Sequence, residues 1–222
     1  MRPFETVYKE ALFRQGSNAA LKYRLPVPKT PDEIRKLPAE YYFSLMSRRI
    51  FHAGLRHSMV DGKWPVFEEL FHNFNIDRVR MMSDEALEAT LKDRRIIRHW
   101  GKIKAVRSNA EALYGMQADG ISMGNYLADW PVERIVELWS DLKRRFIQLG
   151  GNSGPYFLRM AGKDTFLLTD NVVRALIKWG AIAGKPAGSK SLLHVQEVMT
   201  QWSEQSNLPL CQVSMVLAMS VD

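Results

Sequence analysis

The chain has 222 residues, 46% of them hydrophobic and 25% charged, which excludes a disordered or collagen-like chain and leaves one large domain or two small lobes with a full core. A single cysteine, Cys211, excludes an internal disulfide framework and any multi-thiolate zinc or iron–sulfur site. Thirty-one basic against 24 acidic residues leave a net charge of +7, a surplus that makes a polyanionic partner worth testing. Residues 1–24 carry Arg2, Glu5, Lys9, Glu10, Arg14, Lys22 and Arg24 with no apolar stretch of signal-peptide length, and no window approaches the roughly 20 apolar residues of a membrane span. A cytoplasmic protein with no membrane role is expected.

Taken in chain order, Phe4, Val7, Tyr8, Ala11 and Leu12 share one helical face. A proline-rich loop over 25–31 follows, and Thr30-Pro31-Asp32-Glu33 reads as a helix start, with threonine as cap and glutamate reaching back. Tyr42, Leu45, Met46 and Ile50 have the spacing of a helix over 41–55. Lys63-Trp64-Pro65 is expected to open the next, with Phe67, Leu70 and Phe71 inward. Ser83-Asp84-Glu85 caps another, its acids favoured by the helix dipole. Ile103, Val106, Ala110 and Leu113 mark a further helix, and Trp130-Pro131 starts one running to Phe146. Helices over 155–161, 171–179, 191–202 and 209–219 complete the chain. No segment alternates with a period of two, so the expected fold class is all-α, without repeats or a flexible linker.

The stretch from Leu149 to Asp170 carries the chemistry. An amphipathic helix ends in glycines, Gly151-Asn152-Ser153-Gly154 turns tightly, and a new helix begins at Pro155. Glycines allow positive φ and close approach of a ligand to the main chain. Amides at the start of the second helix can hold a phosphate without touching a base edge. An ordinary connection between two helices has the same glycine content. Asp170, further on, suits a catalytic carboxylate and equally suits the cap of the helix over 171–179.

The segment from Leu149 to Asp170, continuing through Asn171-Val172-Val173-Arg174, resembles the signature of the helix-hairpin-helix DNA glycosylase superfamily. Upstream, His52-Ala53-Gly54-Leu55, Phe67-Glu68-Glu69-Leu70-Phe71 and above all Ile96-Ile97-Arg98-His99-Trp100-Gly101-Lys102-Ile103, running on to Asn109-Ala110, resemble the DNA-3-methyladenine glycosylase I family over roughly residues 45–162. The resemblance implies a single glycosylase-like fold over 1–222 in two lobes. The N- and C-terminal helices form one lobe, and about 45–160 form the other, with the hairpin near 149–156. It implies a base-excision repair enzyme that hydrolyses the N-glycosidic bond of a damaged base in double-stranded DNA, an alkylated purine of the 3-methyladenine kind. Such a reaction develops positive charge on the sugar, so a carboxylate beside it stabilises the charge and orients water. The flipped base needs an apolar or aromatic pocket.

On this resemblance the catalytic carboxylate is Asp170. The base pocket draws on Arg49, Phe51, His52, His57, Trp64 and Tyr156, each of which also suits plain core packing or a satisfied polar contact. DNA is gripped by Gly151, Asn152, Ser153 and Gly154 with Lys143, Arg144 and Arg145, and Arg98, Lys102 and Lys104 form a second basic cluster. Tyr156 stands where superfamily members that also cut the backbone carry a lysine nucleophile, which implies a monofunctional hydrolase without lyase activity. Lys163 reads as a solvated helix-end lysine. Three features depart from the nearer family: its zinc ligands have no counterpart, Arg49 aligns with its base-recognising glutamate, and His57 aligns with its pocket tryptophan. No metal and no other cofactor are expected, and the chain is expected to act as a monomer. Because an arginine accepts no hydrogen bond and repels a cationic base, the alternative is a non-catalytic DNA-structure-binding protein that kept the hairpin and lost the pocket.

Overall fold

The computed structural model describes all 222 residues, and they form helices and connections with no strand. The helices are α1 (Phe4–Gln15), α2 (Asn18–Tyr23), α3 (Pro31–Arg35), α4 (Ala39–His52), α5 (His57–Leu70), α6 (Ile76–Arg80), α7 (Asp84–Lys92), α8 (Trp100–Ala118), α9 (Met123–Asp129), α10 (Ile135–Arg145), α11 (Ser153–Ala161), α12 (Asp170–Lys178), α13 (Gly188–Ser206) and α14 (Leu210–Met219). No helix is long and apolar enough to cross a membrane.

The chain divides into two compact units, one of Met1–Lys29, Trp130–Leu138 and Gly162–Asp222, the other of Thr30–Asp129 and Trp139–Ala161. In the first, α1, α12 and α13 pack on α14. Its core is built on Trp202, which is fully buried, meets Phe4 with ring centroids 6.1 Å apart, and donates its indole N–H to the Arg2 carbonyl. α14 is apolar almost all round, as a helix buried among others must be. Its first amides have no intrahelical acceptor, and the Asp164 carboxylate accepts from the N–H groups of Leu210 (2.9 Å) and Cys211 (2.8 Å). Lys163, beside it, is not the solvated lysine its position suggested. It is buried, with its ammonium donating to the Trp130 carbonyl at 2.6 Å.

In the second unit α3 packs on α9, α6 on α8, and α4 on both α5 and α11. The capping box at Thr30 and Glu33 forms as expected, with Pro31 in the first turn. Residues 30–38 join this unit because Ile34 is buried and α9 lies against the α3 backbone, where a Cβ on Gly124 would come 2.9 Å from the Arg35 carbonyl oxygen. The unit's core is an aromatic stack in which Trp64 lies parallel to Phe67 and Phe74, and Phe67 meets Phe51 at 4.4 Å.

Three helix starts differ from expectation. α5 begins at His57 and carries Pro65 in its interior. The buried faces of Val60, Trp64 and Phe67 recur every three or four residues across the proline and outweigh the backbone bond it removes. α11 begins at Ser153, so Pro155 lies in its first turn, where its missing N–H has no intrahelical acceptor to lose. The helix expected from Trp130-Pro131 opens with a 3₁₀ turn over Val132–Arg134 before α10.

Candidate active site

The bend between α10 and α11 is held from outside by one side chain. Asn109 on α8 is fully buried, and its amide meets the Ile147 backbone twice: the Ile147 N–H donates to Oδ1 (2.7 Å) and Nδ2 donates to the Ile147 carbonyl (3.1 Å). A side-chain amide thus stands in for a neighbouring strand at the point where α10 ends. Gln148, at φ 65°, adds a bond from Nε2 to the Gly101 carbonyl at 3.0 Å. Gly151 turns the chain at φ 57°, a conformation that an L side chain adopts only at a cost. Gly154 is needed for a different reason, since a Cβ there would lie 3.0 Å from the Leu149 carbonyl oxygen and against Leu142.

These contacts sort the expected DNA-gripping residues. Gly151 and Asn152 are exposed, whereas Ser153 and Gly154 are buried and shape the bend. The Ser153 N–H donates to the Gly150 carbonyl (3.2 Å). The exposed part of the bend is therefore Gly151-Asn152. Of the three basic residues ahead of it, Arg144 and Arg145 both bond to Asp141, the latter at 2.6 Å, and Tyr126 donates to the same carboxylate at 2.6 Å. Burial raises the Asp141 carboxyl, but the bonds from Tyr126, Arg145 and Arg144 outweigh it and leave its pKa below the ordinary aspartate value. Lys143 makes no ion pair and lays its stem along Gly150. In the second cluster, Arg98 and Lys104 are exposed, but Lys102 is not available to DNA. It is 7% exposed, and its ammonium donates to the carbonyls of Ala53 (2.6 Å) and Phe51 (3.2 Å) at the end of α4. There the helix C-terminus favours a cation.

The residues expected to receive the base fall into three pairs, all within the second unit. Phe51 is fully buried and Trp64 is 3% exposed; both belong to the aromatic core, with the Trp64 indole N–H donating to Ser44 Oγ at 3.0 Å. His52, at the end of α4, and exposed His57, at the start of α5, stack face to face with centroids 4.2 Å apart. Five residues apart they would not share a face of one helix, but the break at 53–56 folds them together. His52 Nε2 lies 2.7 Å from Asp61, which also accepts from Arg48 (2.8 Å). Burial favours the neutral His52 ring and lowers its pKa below the ordinary histidine value, against the opposing pull of Asp61. The third pair is Arg49 and Tyr156. α4 packs on α11, and the Arg49 guanidinium lies 4.4 Å over the phenol ring.

Asp170 lies in the other unit, in the first turn of α12. It is not the cap. Thr169 takes that role, its hydroxyl accepting from the Val172 N–H at 3.3 Å. The Asp170 carboxylate is exposed and makes no hydrogen bond or ion pair of its own. It occupies the first helical position of α12. No three histidine, cysteine, aspartate or glutamate side chains converge to hold a metal; Cys211 is buried with its thiol toward the Pro26 carbonyl.

A model of the methyladenine glycosylase family matches residues 35–147, just over half of the chain. The chain belongs to the methyladenine glycosylase family. The matched stretch runs from α3 to the residue that Asn109 pins, and it holds Arg49, Phe51, His52, His57 and Trp64. DNA-3-methyladenine glycosylase 1 of Escherichia coli is 38% identical over 68 residues, 31% of this chain and 36% of that protein, so the chain spans about a third of the length of the curated relative it matches. A crystal structure of 3-methyladenine DNA glycosylase I is 25% identical with a TM-score of 0.52, over 65% of this chain and 86% of that one. The 8-oxoguanine glycosylase/lyase of Methanocaldococcus jannaschii, solved with DNA containing 8-oxoguanine, covers far more of this family member: 96% of this chain and 95% of its own, with a TM-score of 0.57 at 16% identity. That likeness is one of fold, the helix-hairpin-helix glycosylase architecture, and it extends over the terminal helices that the family match leaves out.

Lys102 and Asn109 are the residues whose roles the sequence did not disclose. Both lie in the Trp100–Ala110 run. The signal was present in Asn109, a polar residue on the face of Ile103, Val106, Ala110 and Leu113 that packs inward.

Proposed function

We propose that the protein is a monofunctional DNA glycosylase that hydrolyses the N-glycosidic bond of alkylated purines in double-stranded DNA. The observation that carries this reading is the family match over residues 35–147, which spans the α4–α5 base-side residues and the Asn109 clamp on the hairpin. The relatives are named for 3-methyladenine.

In this reading the Gly151-Asn152 backbone and Lys143 hold the phosphates of the DNA backbone regardless of sequence. The base, rotated out of the stack, meets His57 and Tyr156 with Arg49 and His52 beneath them. The bond from the sugar C1′ to the purine nitrogen breaks, and its electron pair leaves with the base. Water adds to C1′, and its proton passes to the Asp170 carboxylate, whose charge also stabilises the cationic sugar. Tyr156, at the position of the lyase lysine, offers no amine to form a Schiff base, so the product is an intact abasic strand. A cytoplasmic location and action as a monomer complete the proposal.

The test is excision from duplexes carrying a panel of alkylated purines, read as abasic sites that alkali cleaves and the enzyme alone does not. Strand cleavage by the enzyme overturns the monofunctional assignment. Salt-sensitive DNA binding with no base released from any duplex replaces the enzyme with a DNA-structure-binding protein.

A further inference from the structure

Arg49 is a buried charge with nothing to answer it. Its side chain is 8% exposed, its Nε is sealed from solvent without a hydrogen-bond acceptor, and no carboxylate pairs with it. Lys102 brings a second buried cation to the end of α4, its ammonium on the Phe51 and Ala53 carbonyls, and burial together with the Arg49 charge depresses the lysine pKa. Asp61, on α5, is already committed to Arg48 and His52. Lys102 at least has two carbonyls and a helix C-terminus. Arg49 has only the face of Tyr156. A folded protein rarely keeps an arginine buried without an acceptor, because desolvating the charge is expensive. A guanidinium over a ring, with a buried Nε donor that no acceptor answers, is suited to a planar ligand rich in acceptors.

We infer that Arg49 determines specificity by donating hydrogen bonds to an acceptor edge of an uncharged lesion base, while its charge and that of Lys102 exclude bases that are already cationic. The inference rests on the glycosylase reading and narrows its substrate class. Among alkylated purines it selects those that remain neutral and present ring-nitrogen or carbonyl acceptors, such as 1,N6-ethenoadenine, over those that alkylation has made cationic, such as 3-methyladenine and 7-methylguanine in DNA. An arginine fork paired with two acceptors on a purine edge discriminates by about tenfold or more. The cationic bases lack that acceptor pair, since 3-methyladenine sets a donor amine beside N7 and 7-methylguanine has its N7 methylated, and their charge meets two buried cations.

The experiment compares single-turnover excision of 1,N6-ethenoadenine, 3-methyladenine and 7-methylguanine from the same duplex context, each rate divided by spontaneous loss of that base. The wild-type chain is expected to accelerate ethenoadenine release more than that of either cationic base, by about tenfold or more. Arg49→Gln and Arg49→Glu are expected to remove and then reverse the preference. Equal or greater acceleration for the cationic bases overturns the inference while leaving the glycosylase reading intact. Release of none of the three removes the glycosylase reading, and a second measurement then decides the inference alone: binding of free 1,N6-ethenoadenine, followed by its own fluorescence, in competition with the fixed cation 3,9-dimethyladeninium. Binding that Arg49→Gln weakens about tenfold and that the cation does not displace supports it. Equal affinity for the two ligands overturns it.

Discussion

Replacing Asn109 by alanine tests how the hairpin is built. The amide is fully buried and makes two bonds to the Ile147 backbone, at 2.7 and 3.1 Å. Each neutral bond contributes about 1 kcal/mol, and the space vacated by a buried amide adds about 1 more, so the substitution is expected to cost about 3 kcal/mol. That is a large share of the ~5–15 kcal/mol that holds a domain together. Asn125, exposed on α9, is the control, and its replacement by alanine is expected to stay within about 0.5 kcal/mol of wild type. Urea unfolding followed by tryptophan fluorescence gives both values, and fluorescence anisotropy on undamaged duplex gives DNA affinity. The clamp predicts that Asn109→Ala weakens DNA binding as well as the fold, because the bend that presents Gly151 and Asn152 is no longer pinned. A stability no different from the Asn125→Ala control refutes the reasoning.

Three further outcomes follow from named contacts. Asp141 has a folded pKa below its ordinary value of 3.8, so its stabilisation is present above that value and is lost as pH falls through the lower, folded one. Acid titration of urea midpoints is expected to show a steeper decline below about pH 4 for wild type than for Asp141→Asn. Gly154→Ala, whose Cβ would meet the Leu149 carbonyl oxygen at 3.0 Å, is expected to destabilise the chain and lower DNA affinity; unchanged anisotropy would remove Gly154 from the bend's geometry. Asp164→Ala takes the carboxylate from the first amides of α14, which make bonds of 2.9 and 2.8 Å to it, and is expected to cost about 1–2 kcal/mol by urea unfolding.

How far the sequence disclosed this molecule depends on the range of the interaction. The capping box at Thr30, the Ser83 cap and the spacing of Tyr42, Met46 and Ile50 are local, and their helices form as read. Short α2, α6 and α9 escaped because five to seven residues hold too little periodicity to stand out. Pro65 misled because a helix tolerates proline when an aromatic core continues on both sides of it. Lys102 and Lys163 looked like surface lysines because a charge gives no sign in sequence of a distant carbonyl that will receive it. The same holds for Asp164, which caps a helix that begins 46 residues later. Thr169 rather than Asp170 as the cap of α12 was within reach of sequence, since either residue suits the role and the difference is one position.

The most direct test of the account is single-turnover base release by wild type and by Asp170→Asn on a duplex carrying the lesion that wild type excises. The variant keeps the shape of the side chain and the Thr169 cap while removing the charge. The account predicts a loss of about 10²- to 10⁴-fold in the rate of release with DNA affinity preserved. Release by Asp170→Asn at the wild-type rate would contradict it and remove that carboxylate from the chemistry.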